Sequence, residues 1–189
     1  LPKIISFPYN ELNKRLNVIN HINKKLNKLH LKDRFKLNSV FSQNLIYTGL
    51  IRLEILLHGM PENRLSLSSA IDKRLINIKR AFDILRNNNN RMKKNILFEL
   101  FTKAGEASED FMVIVNSNMH RKDLKRYKAI MKKGILSSEE IIKISKIPKG
   151  RILGKTIKEL KKAEFENKIR TKRDAKRFLL KIGQLYHLT

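Results

Sequence analysis

The sequence predicts an all-α protein, a helical bundle body followed by a basic helical tail. Apolar residues recur at steps of three and four along most of the chain, the spacing of one helical face. No stretch alternates apolar and polar residues over a useful strand length. The four Pro and seven Gly sit mostly where helices should begin or end.

The first helix is drawn by Leu12, Leu16, Ile19, Ile22, Leu26 and Leu29, which step by 4, 3, 3, 4 and 3. Asn10 is placed to cap its start. Lys14, Arg15, Lys24, Lys25 and Lys28 fall on the opposite face. A second helix is expected over about Gln43 to His58. It is apolar nearly all round, which marks it as the central core helix, and Gly59 and Pro61 supply its stop. A third runs over about Ser68 to Leu85 with Ile71, Leu75, Ile78, Phe82 and Leu85 on one stripe. The Asn run from Asn87 to Asn90 is a loop, because Asn side chains compete for the backbone.

A short fourth helix holds Ile96, Leu97, Leu100 and Phe101 and should end at Gly105, with a fifth from Glu106 to about Asn116. His120 to Lys133 reads as a basic helix ended by Gly134. Ser137 with Glu140 has the spacing of a capping box ahead of Ile141 and Ile142. Gly150 and Gly154 flank the start of a helix reaching about Glu166. Thr171 with Asp174 repeats the capping pattern before a last helix to about Ile182.

A chain of 189 residues is expected to form one compact domain or two small ones, large enough for a real core. It has no Cys, so disulfides, thiolate metal sites and a Cys nucleophile are excluded. No apolar run nears the roughly 18 residues of a membrane span. Leu1 to Asn10 lacks the pattern of a secretory signal. The expectation is a soluble, cytoplasmic protein with no membrane partner.

Forty-two Lys and Arg face seventeen Asp and Glu, for a net charge of +25. The natural partner of such a surplus is a polyphosphate chain. A bias toward Lys, Asn and Ile accounts for some of the Lys but not for the scarcity of acids. From Lys143 to Lys181 there are fifteen Lys or Arg against four acids, Glu159, Glu164, Glu166 and Asp174.

Two basic segments stand out. Arg121, Lys122, Lys125 and Arg126 share a face at helical spacing. Tyr127 beside them either stacks on a base or lies half-buried behind a solvated face. Gly150 to Thr156 reads G-R-I-L-G-K-T, ringed by Lys149, Arg151 and Lys155. It is not a P-loop: the first Gly stands one residue too close and no strand precedes it. It is either a phosphate-binding helix start, with free N–H groups and a positive dipole end, or a close-packing site for helices.

Catalytic constellations are missing. The five His (His21, His30, His58, His120 and His187) lie far apart, with no second ligand at metal spacing, and read as surface or packing residues. In His58-Gly59 a Gly stands where a metal-dependent phosphohydrolase would carry Asp. A hydrolase around His58 is the enzymatic competitor. Glu139, Glu140, Glu106, Glu109 and Asp110 read as first-turn helix acids. No general acid and base set is evident, so no catalytic and no metal residue is assigned.

The order of segments carries a resemblance. I-R-L-E-I-L-L-H-G (Ile51 to Gly59) is followed by L-S-L-S-S-A-I-D-K-R-L-I-N-I (Leu65 to Ile78). F-E-L-F-T-K-A-G-E-A-S-E-D-F (Phe98 to Phe111) comes next, and I-P-K-G-R-I-L-G-K-T-I-K-E-L-K-K-A-E-F-E-N-K-I-R-T-K-R-D-A (Ile147 to Ala175) closes. Together these resemble the C-terminal half of bacterial CCA-adding enzymes, the tRNA nucleotidyltransferase and poly(A) polymerase family, over roughly Val40 to Ile182.

In that family a head with a Gly-Ser motif and an Asp-x-Asp pair holds the catalytic metals, and the body and tail grip the upper half of tRNA. This chain has no such head motifs and no Glu- and Arg-rich neck motif. The resemblance therefore implies a body and tail without a head. A composition shift near Gly134 divides a helical body over 39–134 from a basic helical tail over 135–189, and the basic helix over 1–38 is either neck-like or new sequence. The resemblance implies no cofactor in this chain, since Mg2+ and nucleotide would belong to the missing head, for which a separately encoded partner is the expectation. The expected function is to hold the tRNA acceptor and T arms by phosphate and shape contacts. Arg121, Lys122, Lys125, Arg126, Lys149, Arg151, Lys155, Arg170, Lys172, Arg173, Lys176 and Arg177 are the candidate phosphate contacts. The alternatives are a stand-alone, non-catalytic RNA or nucleoprotein binder and the remnant of a split gene.

Overall fold

A computed structural model describes residues 9–26, 40–42, 45–57, 68–89, 91–115 and 120–187. The chain is all-α. Its elements are α1 (Tyr9–Leu26), β1 (Val40–Ser42), β2 (Leu45–Ile46), α2 (Tyr47–Leu57), α3 (Ser69–Asn87) and α4 (Lys94–Ala104). A 3-10 turn (Gly105–Ala107) leads into α5 (Ser108–Ile114). Then follow α6 (Arg121–Lys132), α7 (Ser138–Ser145), α8 (Arg151–Phe165) and α9 (Lys172–His187). Among the described residues no helix is long and apolar enough to cross a membrane.

The N-terminal third departs most from the pattern. Helix α1 begins at Tyr9, so Asn10 lies inside it rather than capping it. Its inward face is rotated from the predicted stripe. Ile19 is buried, Leu16 is 42% exposed, and Arg15 turns inward. The last carbonyls of a helix lack partners within it. Arg15 supplies donors to those of Ile55 and Leu56 at the end of α2 while pairing with Glu11 at 2.8 Å. Lys28 and Leu29 lie outside the described residues. Helix α2 starts at Tyr47, not Gln43, because Leu45 and Ile46 pair antiparallel with β1, Val40 opposite Ile46. A short apolar run does not distinguish strand from helix by periodicity.

Three buried clusters build the molecule. The largest is centred on α4, whose Phe98, Leu100, Phe101 and Ala104 are fully buried. It takes Ile78, Ala81 and Leu85 from α3, Phe111 and Met112 from α5, Leu124, Tyr127 and Ile130 from α6, and Phe165 from α8. The central core helix is therefore α4 and not α2, which instead carries Ile51 and Ile55 against Ile19 of α1. An amphipathic helix with two Phe on its inner face fills more volume than an aliphatic one. The third cluster joins Leu136, Ile141 of α7, Ile147, Leu153, Leu160 and Ala163 of α8, Ile169, and Ala175, Leu179 and Ile182 of α9.

The punctuation predicted from sequence forms. Ser68 stands at the N-cap of α3, and the Asn run opens with a turn at Asn88 and Asn89. Gly105 ends α4 at φ +56°, in the left-handed region that favours Gly. Ser137 and Glu140 form a complete capping box, Ser137 Oγ accepting from Glu140 N at 3.1 Å and Glu140 Oε2 from Ser137 N at 2.8 Å. Thr171 and Asp174 make the same exchange at 3.0 and 3.1 Å. Helix α9 runs on past Ile182 to His187. Gly183 lets it pass close to α7, where a Cβ would meet the Ser145 carbonyl oxygen at 3.1 Å.

Candidate nucleic-acid interface

Helix α8 organises the candidate site. Its fifteen residues span about 22 Å at 1.5 Å per residue. Gly150 precedes it at φ +156° and ψ −166°, a combination essentially confined to Gly, and no side chain caps the first turn. Lys149, Arg151 and Lys155 are exposed around that start. A Cβ on Gly150 or Gly154 would meet no neighbouring atom within 4 Å. That overturns the close-packing reading of these glycines: among the described residues nothing approaches them. The G-K-T residues are helical, with Thr156 buried and its hydroxyl on the Ile152 carbonyl at 3.1 Å.

The other candidate cations lie toward the opposite end of α8. Arg126 of α6 donates to the Glu164 carbonyl at 2.7 Å, and Lys161 to the Met131 carbonyl at 2.8 Å. Glu164 also accepts the Ile135 N–H at 3.1 Å, which joins the end of α6 to α8. The connector between α8 and α9 carries Arg170, and the first turns of α9 carry Lys172, Arg173, Lys176 and Arg177. Arg121, Lys122 and Lys125 are exposed on α6. Lys149, Arg151 and Lys155 thus stand at the start of α8, while Arg126 reaches its end at Glu164.

Several of these side chains already have work within the protein. Arg126 is partly buried on α8, Arg170 Nε sits 3.3 Å from the Asn167 carbonyl, and Lys172 pairs with Glu140 at 2.9 Å. Tyr127 does not stack on anything outside the molecule. It is 8% exposed, ringed by Phe98, Phe101 and Phe165 at centroid distances of 5.5, 5.4 and 6.2 Å. The base-stacking reading of Tyr127 is therefore withdrawn. Burial pushes its hydroxyl up, opposed by a hydrogen bond to Thr102 Oγ1 at 3.3 Å.

The acids of the tail are largely spent on local structure. Glu164 holds Ile135, and Glu166 pairs with Lys168 at 2.6 Å. The Thr171 hydroxyl and the Arg170 and Thr171 N–H groups hold the Asp174 carboxyl below its usual range. Ten cations of the stretch are left exposed with no hydrogen bond or ion pair to a described residue. They are Lys143, Lys146, Lys149, Arg151, Lys155, Lys158, Arg173, Lys176, Arg177 and Lys181.

Sequence reasoning missed one charged cluster altogether. Glu54 of α2, Arg74 of α3 and Asp110 of α5 meet in the body, 1%, 6% and 5% exposed. Arg74 Nε lies 3.4 Å from Glu54 Oε1, and its terminal nitrogen contacts Asp110. The Tyr47 ring lies 5.8 Å from the guanidinium carbon. Asp110 is thus more than a solvated first-turn acid. The signal was present: Glu54 interrupts an apolar run, and Arg74 falls on the buried stripe between Ile71 and Ile78. His58 lies outside the described residues, and among those described no group of three or more His, Asp or Glu could hold a metal.

No family model matches the chain, and neither does any curated protein or solved structure.

Proposed function

We propose that this chain is an RNA-binding module, the body and tail of a CCA-adding type tRNA nucleotidyltransferase, which grips the acceptor and T arms of tRNA through phosphate contacts. One observation supports the reading above the others: ten exposed tail cations make no hydrogen bond or ion pair to a described residue, while Glu140, Glu164, Glu166 and Asp174 serve caps, a helix junction and a local ion pair. Backbone phosphates satisfy such a surface without any sequence reading, and the register of the contacts supplies shape selection. The order of segments supports the finer assignment to tRNA. On this reading nucleotide addition, with its Mg2+, belongs to a separate head carrying the Gly-Ser and Asp-x-Asp motifs, and the work is cytoplasmic.

The test is binding to a tRNA transcript lacking CCA, against duplex DNA, across a salt series. The expected result is a tRNA preference that survives moderate salt. Two double variants address the two ends of α8, Arg151→Ala with Lys155→Ala and Arg173→Ala with Lys176→Ala. Each should lower the slope of log affinity against log salt by about 1.4 to 1.8, two phosphate contacts' worth. Unchanged affinity and slope in both would sink the site. Equal binding to both nucleic acids would sink the tRNA assignment.

A further inference from the structure

The buried cluster at the junction of α2, α3 and α5 is not needed for phosphate binding, and its composition is unusual. Two carboxylates, Glu54 and Asp110, share one guanidinium, Arg74, with all three side chains at least nine-tenths out of water. The donor facing Glu54 is Arg74 Nε, at a long 3.4 Å from Oε1. A buried carboxylate held only by a long contact is costly, and a second negative charge on the same Arg makes it more so. Tyr47 of α2 is the other titratable group at the cluster, its ring 5.8 Å from the Arg74 guanidinium carbon. Helix α1 contributes Arg15, which is held on the Ile55 and Leu56 carbonyls, and the two strands contribute no titratable side chain.

We propose that the Glu54–Arg74–Asp110 cluster is a proton-operated latch, in which uptake of one proton by Glu54 seats α2 against α3 and α5 and its release loosens α2. The carboxylate takes the proton from solvent and becomes a carboxylic acid, leaving one carboxylate for one guanidinium. Burial pushes the Glu54 carboxyl up from 4.5 to about 7, against the pull of Arg74. A pKa raised on folding fixes the sign. The folded chain holds the proton between those two values while the unfolded chain has lost it. The contribution to stability is therefore complete below 4.5 and lost as pH rises through about 7. The latch is a property of the body and does not depend on what the tail binds.

Hydrogen exchange of the full chain between pH 5 and pH 8, corrected for intrinsic rates, tests this without RNA. Protection of the Leu50–Leu57 amides should fall by about tenfold per pH unit at the acid end of this range and flatten above pH 7, while that of α8 stays level. Glu54→Gln should abolish the fall. Asp110→Asn should move it to lower pH, because Arg74 then serves Glu54 alone. A fall of the same size in Glu54→Gln, or none in the unsubstituted chain, overturns the latch. If Glu54→Gln does not fold, the carboxyl carbon of Glu54 in the unsubstituted chain decides by NMR. Titration in the ordinary range near 4.3 overturns the proposal, and titration near neutrality supports it.

Discussion

Tyr127 sits on the most basic face of the body, yet its ring packs inward among Phe98, Phe101 and Phe165 and only its hydroxyl reaches a polar partner, Thr102. Its contribution is to packing. Tyr127→Phe removes one long hydrogen bond and should cost no more than about 1 kcal/mol, with affinity for tRNA unchanged. Tyr127→Ala opens a cavity in the aromatic cluster and should cost about 3 to 5 kcal/mol by denaturant unfolding. A loss of tRNA affinity in a folded Tyr127→Phe chain would restore a contact role for the hydroxyl. The same residue shows why side-chain roles are hard to read in one dimension. Spacing placed Tyr127 on a helix but left open which way the ring turned, because the rings that surround it come from two helices separated in sequence, α4 and α8. Glu54, Arg74 and Asp110 escaped for a like reason: no periodicity reports a meeting between three distant segments.

At the scale of the element, glycine separates two kinds of helix surface. Gly154 of α8 faces open space, so Gly154→Ala places a methyl where nothing stands and removes backbone freedom from the unfolded chain. The expected result is a gain of roughly 0.5 to 1 kcal/mol. Gly183 of α9 faces the Ser145 carbonyl, and Gly183→Ala drives a Cβ into backbone at 3.1 Å. Its expected net loss is about 1 kcal/mol. Thermal or urea unfolding of the two variants should therefore move in opposite directions. The helix boundaries set by local signals were legible: Ser137 with Glu140, Thr171 with Asp174, and Gly105 all act within a few residues, whereas the end of α9, which carries no such signal, runs past the expected Ile182 to His187. The α1–α2 region was less so. Arg15 looks like a surface cation by spacing, and only the unsatisfied end of another helix turns it inward.

Across the whole molecule, charge and packing divide the chain differently. The charge runs through the tail in exposed side chains, whereas the buried contacts do not stop at Gly134. Composition shows the first division because exposed cations are counted directly. It does not show the second, since Phe165 reads as one more apolar position on an amphipathic helix. Yet Phe165 lies in the cluster of α4, within 5.7 Å of Phe98 by ring centroid, while Leu153, Leu160 and Ala163 of the same helix lie in the tail's own cluster.

One helix thus belongs to two hydrophobic interiors at once, and this governs how the molecule comes apart. A chain cut after Gly134 loses a ring from the centre of what remains, and that remnant should fail to give a sharp melt. The intact chain should melt from Ser69 to His187 as one cooperative unit, with the calorimetric enthalpy equal to the van't Hoff value. Two resolved heat-absorption peaks would instead mean that Phe165 is a weak tether. In the tethered case alone could evolution trade the basic end for another as an exchangeable part; as packed, the two have to be inherited, and lost, together.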